Sequence, residues 1–395
     1  MTANPIRIGG GQVVTGVGLE SGTVDVDDGL FGSVGSTEPD STEPDEIDAD
    51  GLIVAPGLID LQINGGFGLD MLTDPDAMWE LGRHLPCHGV TAFLPTIISS
   101  PAASTDAAIE ALRRRPASYI GAEPLGLHFE GPMLNPNRRG AHEVEHLLDP
   151  APTVIEQWSR PSGVAMVTIA PELPGAITTI TELVRRGVTV CAGHSDATKD
   201  DAEVARRSGV TAVTHLFNAM APLGHRDPNL VGVALAHDDI VAGLIVDGVH
   251  VYPIIVRAAW KAKGPAGIAL VTDAVAAMGQ PAGEYQLGGR RITADEDGVR
   301  NGDGTLAGST LTMDQALRNL IAYTGCSVDD GLMSATRTPA NLIGARDRGR
   351  LAPGAVADVV LFDQDLEVQL TMCAGRVVFV ADGALDRVPD HLKEP

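Results

Sequence analysis

The sequence predicts an α/β fold: a (β/α)8 barrel of the TIM type with a small β-sandwich domain formed by both chain ends. Three observations predict it. Eight short apolar runs alternate with helix-like stretches through the middle of the chain. Hydrophobic residues make up 44% of the 395, but aromatic ones only 4%. The core must therefore be aliphatic, which suits parallel strands buried on both faces. Finally, both ends read as short strands and turns.

The expected domains are residues 1–55 with 351–395 for the small β domain, and 56–350 for the barrel. The acidic stretch Ser36–Asp50 reads as a solvated loop, and Pro56-Gly57 marks a change of direction. Barrel strands are expected at Leu58–Ile63, Val90–Leu94, Leu125–Phe129, Ala165–Ile169, Val188–Ala192, Ala212–Leu216, Val241–Val246 and Ile268–Thr272. Helices are expected at Asp76–His88, Thr105–Arg114, Ala176–Arg186, Lys199–Ser208 and Pro253–Lys263. A β insertion is expected near 283–305, around Gly288-Gly289. In the tail, Gly354–Asp363 and Val368–Val380 read as strands, with Gly375 at a turn. Gly65-Gly66-Phe67-Gly68 lacks the spacing of a dinucleotide-binding loop.

Composition narrows the function. A formal net charge of −24, with only four Lys, argues against nucleic acid and anionic membrane as partners. No apolar run reaches membrane-spanning length, and Met1–Gly11 has no signal core. The four Cys form no CxxC pair and read as reduced thiols of a cytoplasmic protein.

Most of the interesting polar residues fall at the carboxyl ends of the expected strands, where barrel active sites are built. A single His beside an apolar run is more often a structural residue; the coincidence across strands changes the reading. Glu130, His194 and His215 offer two imidazoles and a carboxylate, a set that holds a catalytic divalent ion and leaves room for water. His128 shares the inward direction of Glu130 and is expected to fill the barrel rather than to ligate. Asp273 can take a proton from water and pass it to a leaving amine. His142, in a long loop, can polarise a carbonyl. Arg226 and His250 offer fixed donors for a phosphate, whereas Arg138 and Arg139 read as solvated charges.

These residues sit in segments that resemble the N-acetylglucosamine-6-phosphate deacetylases of the amidohydrolase superfamily. The segments are Pro56–Gly65, Leu127–Pro132, Gly140–His142, Ala192–Ser195, Thr214–Met220, Asp247–His250, Val271–Ala274 and Gly304–Ser309, in order over nearly the whole chain. The resemblance implies hydrolysis of N-acetylglucosamine 6-phosphate to glucosamine 6-phosphate and acetate, within amino-sugar catabolism. It implies Glu130, His194 and His215 as metal ligands, Asp273 as acid/base and His142 at the acetyl carbonyl. Gln62, Asn64, Ala141, Asn218, Ala219, Arg226, His250, Leu306, Ala307 and Gly308 are the implied substrate contacts. It also implies a homodimer with phosphate contacts near the interface. Gln62 and Asn64 replace the two His that many amidohydrolases use for a second metal, and amides bind Zn2+ poorly. One divalent ion per subunit is expected, Zn2+ ahead of Fe2+, Co2+ or Mn2+. Competing expectations are an N-acyl amino-acid deacetylase, a cyclic amidase or a non-catalytic barrel.

Overall fold

The structure is a computed structural model, and it describes residues 5–36 and 44–393. Eight parallel strands form the barrel: Leu58–Ile63, Val90–Ile98, Leu127–Glu130, Val164–Ile169, Thr189–Ala192, Val210–Val213, Val241–Leu244 and Ile268–Leu270. Each pairs with its neighbour in parallel register. The first and last meet through a bridge between Ile63 and Ala274 and through the amide of Asp273 donating to the Gln62 carbonyl at 2.8 Å. All nine residues of Val90–Ile98 are buried, as a strand packed on both faces requires.

The second sheet contains both chain ends, in the order Arg376–Val380, Val368–Cys373, Val359–Phe362, Ile53–Pro56, Ile6–Val14, Leu19–Asp27, Leu30–Ser36. It has its own core, with Ile8, Val24, Ile47 and Phe362's neighbour Leu361 fully or almost fully buried. The insertion is a three-stranded meander, Gly283–Leu287, Arg290–Asp295 and Gly298–Asn301.

Several expectations shift. Val90–Ile98 runs past Leu94 because Thr96, which interrupts the apolar pattern, is satisfied inside: its hydroxyl accepts the Ile63 amide at 3.1 Å. The strands expected to reach Leu216 and Thr272 stop at Val213 and Leu270, and His215 and Asp273 beyond them take positive φ. In the acidic stretch, Asp45–Asp48 is a strand paired with Ile6–Gly9, anchored by buried Ile47; residues 37–43 lie outside those described. Helices Asn229–Ala236, Met313–Thr324, Val328–Ala335 and Arg337–Leu342 add to the expected set. Among the described residues no helix is long and apolar enough to cross a membrane.

Candidate active site

Strand ends deliver the polar residues to one cavity of about 250 Å3 at the carboxyl rim. Glu130 is the last residue of its strand; His194 and His215 follow the next strands but one and two. His194, His215 and Asp273 all adopt left-handed φ, at 48°, 23° and 49°. Non-glycine residues take that conformation uncommonly, Asp and His among the more tolerant. The turn swings each side chain from the barrel wall toward its axis.

Glu130, His194 and His215 converge, their ligand atoms all within 4.8 Å of one another. Glu130 Oε1 lies 3.2 Å from His194 Nε2 and 2.9 Å from His215 Nε2, and the two Nε2 atoms are 3.0 Å apart. His194 Nδ1 is 2.8 Å from the Arg138 carbonyl, which can only accept. The ring proton therefore sits on Nδ1, and Nε2 presents a bare lone pair to a carboxylate oxygen and a second imidazole. Three electron-rich atoms pressed together in a buried site fit a cation. Burial works to raise Glu130, yet the facing imidazoles of His142, His194 and His215 hold it well below the carboxylate range. Burial lowers His194; at His215 it is outweighed by Glu130, which raises it.

Asp273 is buried beside this trio. Its Oδ1 accepts the Asn64 amide at 2.8 Å and the Gln62 amide at 3.3 Å. Burial, and then the negative charge of Glu130, push it up to about 6. A base so raised is better matched to proton transfer near neutral pH. Gln62 also donates to Glu130 Oε1 at 3.0 Å and accepts from Thr214 Oγ1 at 2.7 Å, so its amide orientation is fixed.

His142 receives the Ser99 amide on Nδ1 at 3.1 Å, with Ser99 Oγ at 2.8 Å. A backbone N–H can only donate, so Nε2 carries the proton, pointing into the cavity 3.6 Å from Glu130 Oε2. His250 is fixed in the opposite sense: its Nδ1–H donates to Asp247 Oδ2 at 2.5 Å. His128 is buried between Thr168 Oγ1 and Thr96 Oγ1, lowered to about 4 by burial, and stays out of the trio.

Asn64, Glu130, Ala141, His142, His194, His215, Asn218, Ala219, His250, Asp273, Leu306 and Gly308 all line the cavity. Gly308 has φ +71°, and a Cβ there would meet Val275 at 2.5 Å and the Asp273 carbonyl at 2.8 Å. Three expected residues lie elsewhere. Gln62 is buried beneath the wall, bridging Glu130, Asp273 and Thr214. Ala307 is buried, its amide bonded to Val299. Arg226 is exposed, outside the lining of its own chain's cavity.

Arg138 is no plain solvated charge: it lines the cavity, its carbonyl fixes the His194 ring, and its Nε meets Asp196 at 2.5 Å. A carbonyl is common to all residues, so nothing in the residue type marked it. Arg139 donates to the His142 carbonyl at 3.3 Å. Asn137, Thr305 and Leu287 also line the cavity without having been singled out. Nothing in the local sequence marks Ser99, whose partner is 43 residues away.

A barrel that gathers its polar groups at the carboxyl rim has the architecture of the barrel enzymes. A model of the amidohydrolase family matches residues 53–378. N-acetylglucosamine-6-phosphate deacetylase of Caenorhabditis elegans is 39% identical over 355 residues, covering 85% of each chain. That of Bacillus subtilis is 34% identical over 375 residues, 93% of this chain and 95% of the relative. Among solved structures, a mutant of the Mycobacterium smegmatis deacetylase in complex with N-acetyl-D-glucosamine-6-phosphate aligns with a TM-score of 0.88 at 33% identity. It covers 96% of this chain and 100% of that one. The chain belongs to the amidohydrolase family, within its N-acetylglucosamine-6-phosphate deacetylase branch.

Proposed function

We propose that this chain hydrolyses N-acetylglucosamine 6-phosphate to glucosamine 6-phosphate and acetate, a step of amino-sugar catabolism. The observation that carries the reading is the convergence of Glu130, His194 and His215 beside a buried, raised Asp273 in one cavity. Those three would hold one divalent ion, Zn2+ by the character of the donors. When bound it supplies Lewis-acid activation of water and of the acyl oxygen.

The chain's own groups divide the remaining work. Asp273 Oδ takes a proton from the attacking water and returns it to the amine nitrogen as the C–N bond breaks. His142 Nε2–H donates to the acetyl oxygen, where negative charge develops. Asn64 and Gln62 keep Asp273 aimed, and Gln62 reaches Glu130 as well. His250, backed by Asp247, presents Nε2 to the phosphate end of the substrate. Asn218, Ala219, Ala141 and the Leu306–Gly308 segment shape the sugar pocket.

Arg226 fits the reading through a second copy of the chain. It is exposed in the loop after one barrel strand, with exposed Leu223 nearby in sequence. Exposed Tyr252, Ile254 and Ile255 follow the neighbouring strand. Exposed apolar side chains on neighbouring rim segments, a loop and the start of the helix Pro253–Gly267, suit a homodimer interface, across which Arg226 serves the partner's cavity. The four free cysteines suit a cytoplasmic protein.

Acetate release from N-acetylglucosamine with and without its 6-phosphate tests the substrate. We expect kcat/KM to favour the phosphorylated sugar by at least about a hundredfold, since each charge-assisted hydrogen bond contributes roughly 1.5–3 kcal/mol. Equal rates would point instead to an acyl amino acid. Hybrid dimers test the interface: Arg226→Ala and Asp273→Asn subunits, each poorly active alone, should regain activity when mixed, because one cavity then has both groups. No recovery on mixing would place Arg226 outside the partner's site.

A further inference from the structure

A second cavity, about 420 Å3, lies at the opposite end of the barrel. Thr91, near the start of the Val90–Ile98 strand, lines it, whereas Ile98 at the end of that strand lines the cavity around Glu130. At about 3.3 Å per residue the two are roughly 23 Å apart. The walls come from the barrel loop at 115–123, from Arg348 and Asp358, and from two turns of the end sheet, at 28–29 and 374–376. Those turns touch through Gly29 and Gly375; a Cβ on Gly375 would lie 2.7 Å from the Gly29 Cα. Small residues at the contact leave the seam unfilled by side chains.

From this we infer that the seam cavity binds a small organic anion, a carboxylate or phosphate ester, bridging the barrel and the end sheet. Three arginines line it, Arg115, Arg348 and Arg376, beside three carboxylates, Asp28, Glu123 and Asp358, in a chain of net charge −24. Arg115 is committed to Glu123 through Nε at 3.2 Å and Nη2 at 2.9 Å. Arg348 has a side chain only 13% exposed and gives Nη1 to buried Asp358. Its Nε and Nη2 meet no acceptor among the described residues. Arg376 is exposed and has no side-chain partner among them. Thr91 is 1% exposed, with Oγ1 unpartnered.

Of these groups, Thr91 Oγ1 is the one held away from water without a partner, which is costly, and the planar fork of Arg matches carboxylate and phosphate oxygens. Arg115 and Arg348 are paired with Glu123 and Asp358, so Arg376 is the lining's cation without such a pair. Asp28, the remaining carboxylate of the lining, is exposed to solvent. A ligand spanning the seam would hold the end sheet to the barrel and stabilise the folded chain by mass action.

The test is hydrogen exchange on the metal-loaded full chain, with glucose 6-phosphate in one arm and succinate in the other. At least one should slow exchange at 115–123 and 373–376; which one does so separates phosphate from carboxylate. Arg376→Glu, at an exposed position that leaves folding alone, should weaken that protection by about tenfold or more with turnover unchanged. Arg348→Lys, keeping the charge but losing the fork, should weaken it too. Protection in neither segment with either compound, protection confined to the Glu130 cavity, or equal binding by Arg376→Glu would overturn the proposal.

Discussion

At the scale of single residues, function turns on which lone pairs and protons are aimed where. A backbone group fixes two of the key imidazoles: the Arg138 carbonyl orients His194, and the Ser99 amide orients His142. One ring is thereby left with a bare Nε2 and the other with an Nε2–H. Asp273 is the proton acceptor of its hydrogen-bonded group, since its partners Gln62 and Asn64 are amides that cannot carry a proton away. Asp273→Asn should keep metal content and substrate affinity near wild type while turnover falls by about a hundred- to ten-thousand-fold. Metal analysis, equilibrium binding and acetate release measure these separately. A variant retaining more than about a tenth of the wild-type rate would mean another base.

At the scale of elements, the helix Met313–Thr324 is pinned to the short 3-10 turn Leu85–His88 by an ion pair. His88 Nδ1 lies 3.1 Å from Asp314 Oδ1, and Asp314 Oδ2 lies 2.9 Å from Arg318. The His88 contact is ionic, as Oδ1 makes no aligned hydrogen bond. Burial opposes charge on both, but each partner outweighs it: His88 is raised to about 10 and Asp314 lowered to about 2. A raised His stabilises the fold fully below its ordinary value of 6.5, and that contribution fades as pH climbs through 10. A lowered Asp stabilises fully above its ordinary 3.8, fading as pH falls through 2. The pair is therefore at full strength only between those ordinary values. Asp314→Asn should cost about 3 kcal/mol there, as breaking a largely buried pair does. In urea melts of both proteins, the gap should be widest near pH 5.5 and narrow toward pH 10. A gap independent of pH would mean that the pair does not carry charge.

At the scale of the whole molecule, the candidate metal ligands come from the ends of three different strands, so a bound ion ties part of the barrel rim together. Its removal is a stability experiment as well as an activity one. A ligand present at about a thousandfold its Kd stabilises by about 4 kcal/mol, which for a large chain is roughly 5–10 °C in Tm. Chelation should lower Tm by that amount and restored metal should recover it, whereas Glu130→Gln should melt nearly alike in both conditions. A wild type indifferent to chelator would leave Glu130, His194 and His215 without an ion to hold.

The sequence by itself determined the barrel, because continuous aliphatic runs spaced by helices have few other ways to bury both faces. It also set apart Glu130, His194, His215 and Asp273, whose types at strand ends are chemically conspicuous. Strand limits were less legible. Thr96 looks like an interruption until its hydroxyl is seen to bond the amide of Ile63, and His215 and Asp273 leave their strands through backbone angles that side-chain patterns do not encode. Only the tertiary structure decided that Gln62 lies beneath the cavity and Asn64 in its wall, that Arg138 acts through its carbonyl, and that Arg226 is exposed outside the lining of its own chain's cavity. These depend on partners tens to hundreds of residues apart. Local patterning fixes what a segment buries, but only packing fixes which distant groups its polar atoms meet.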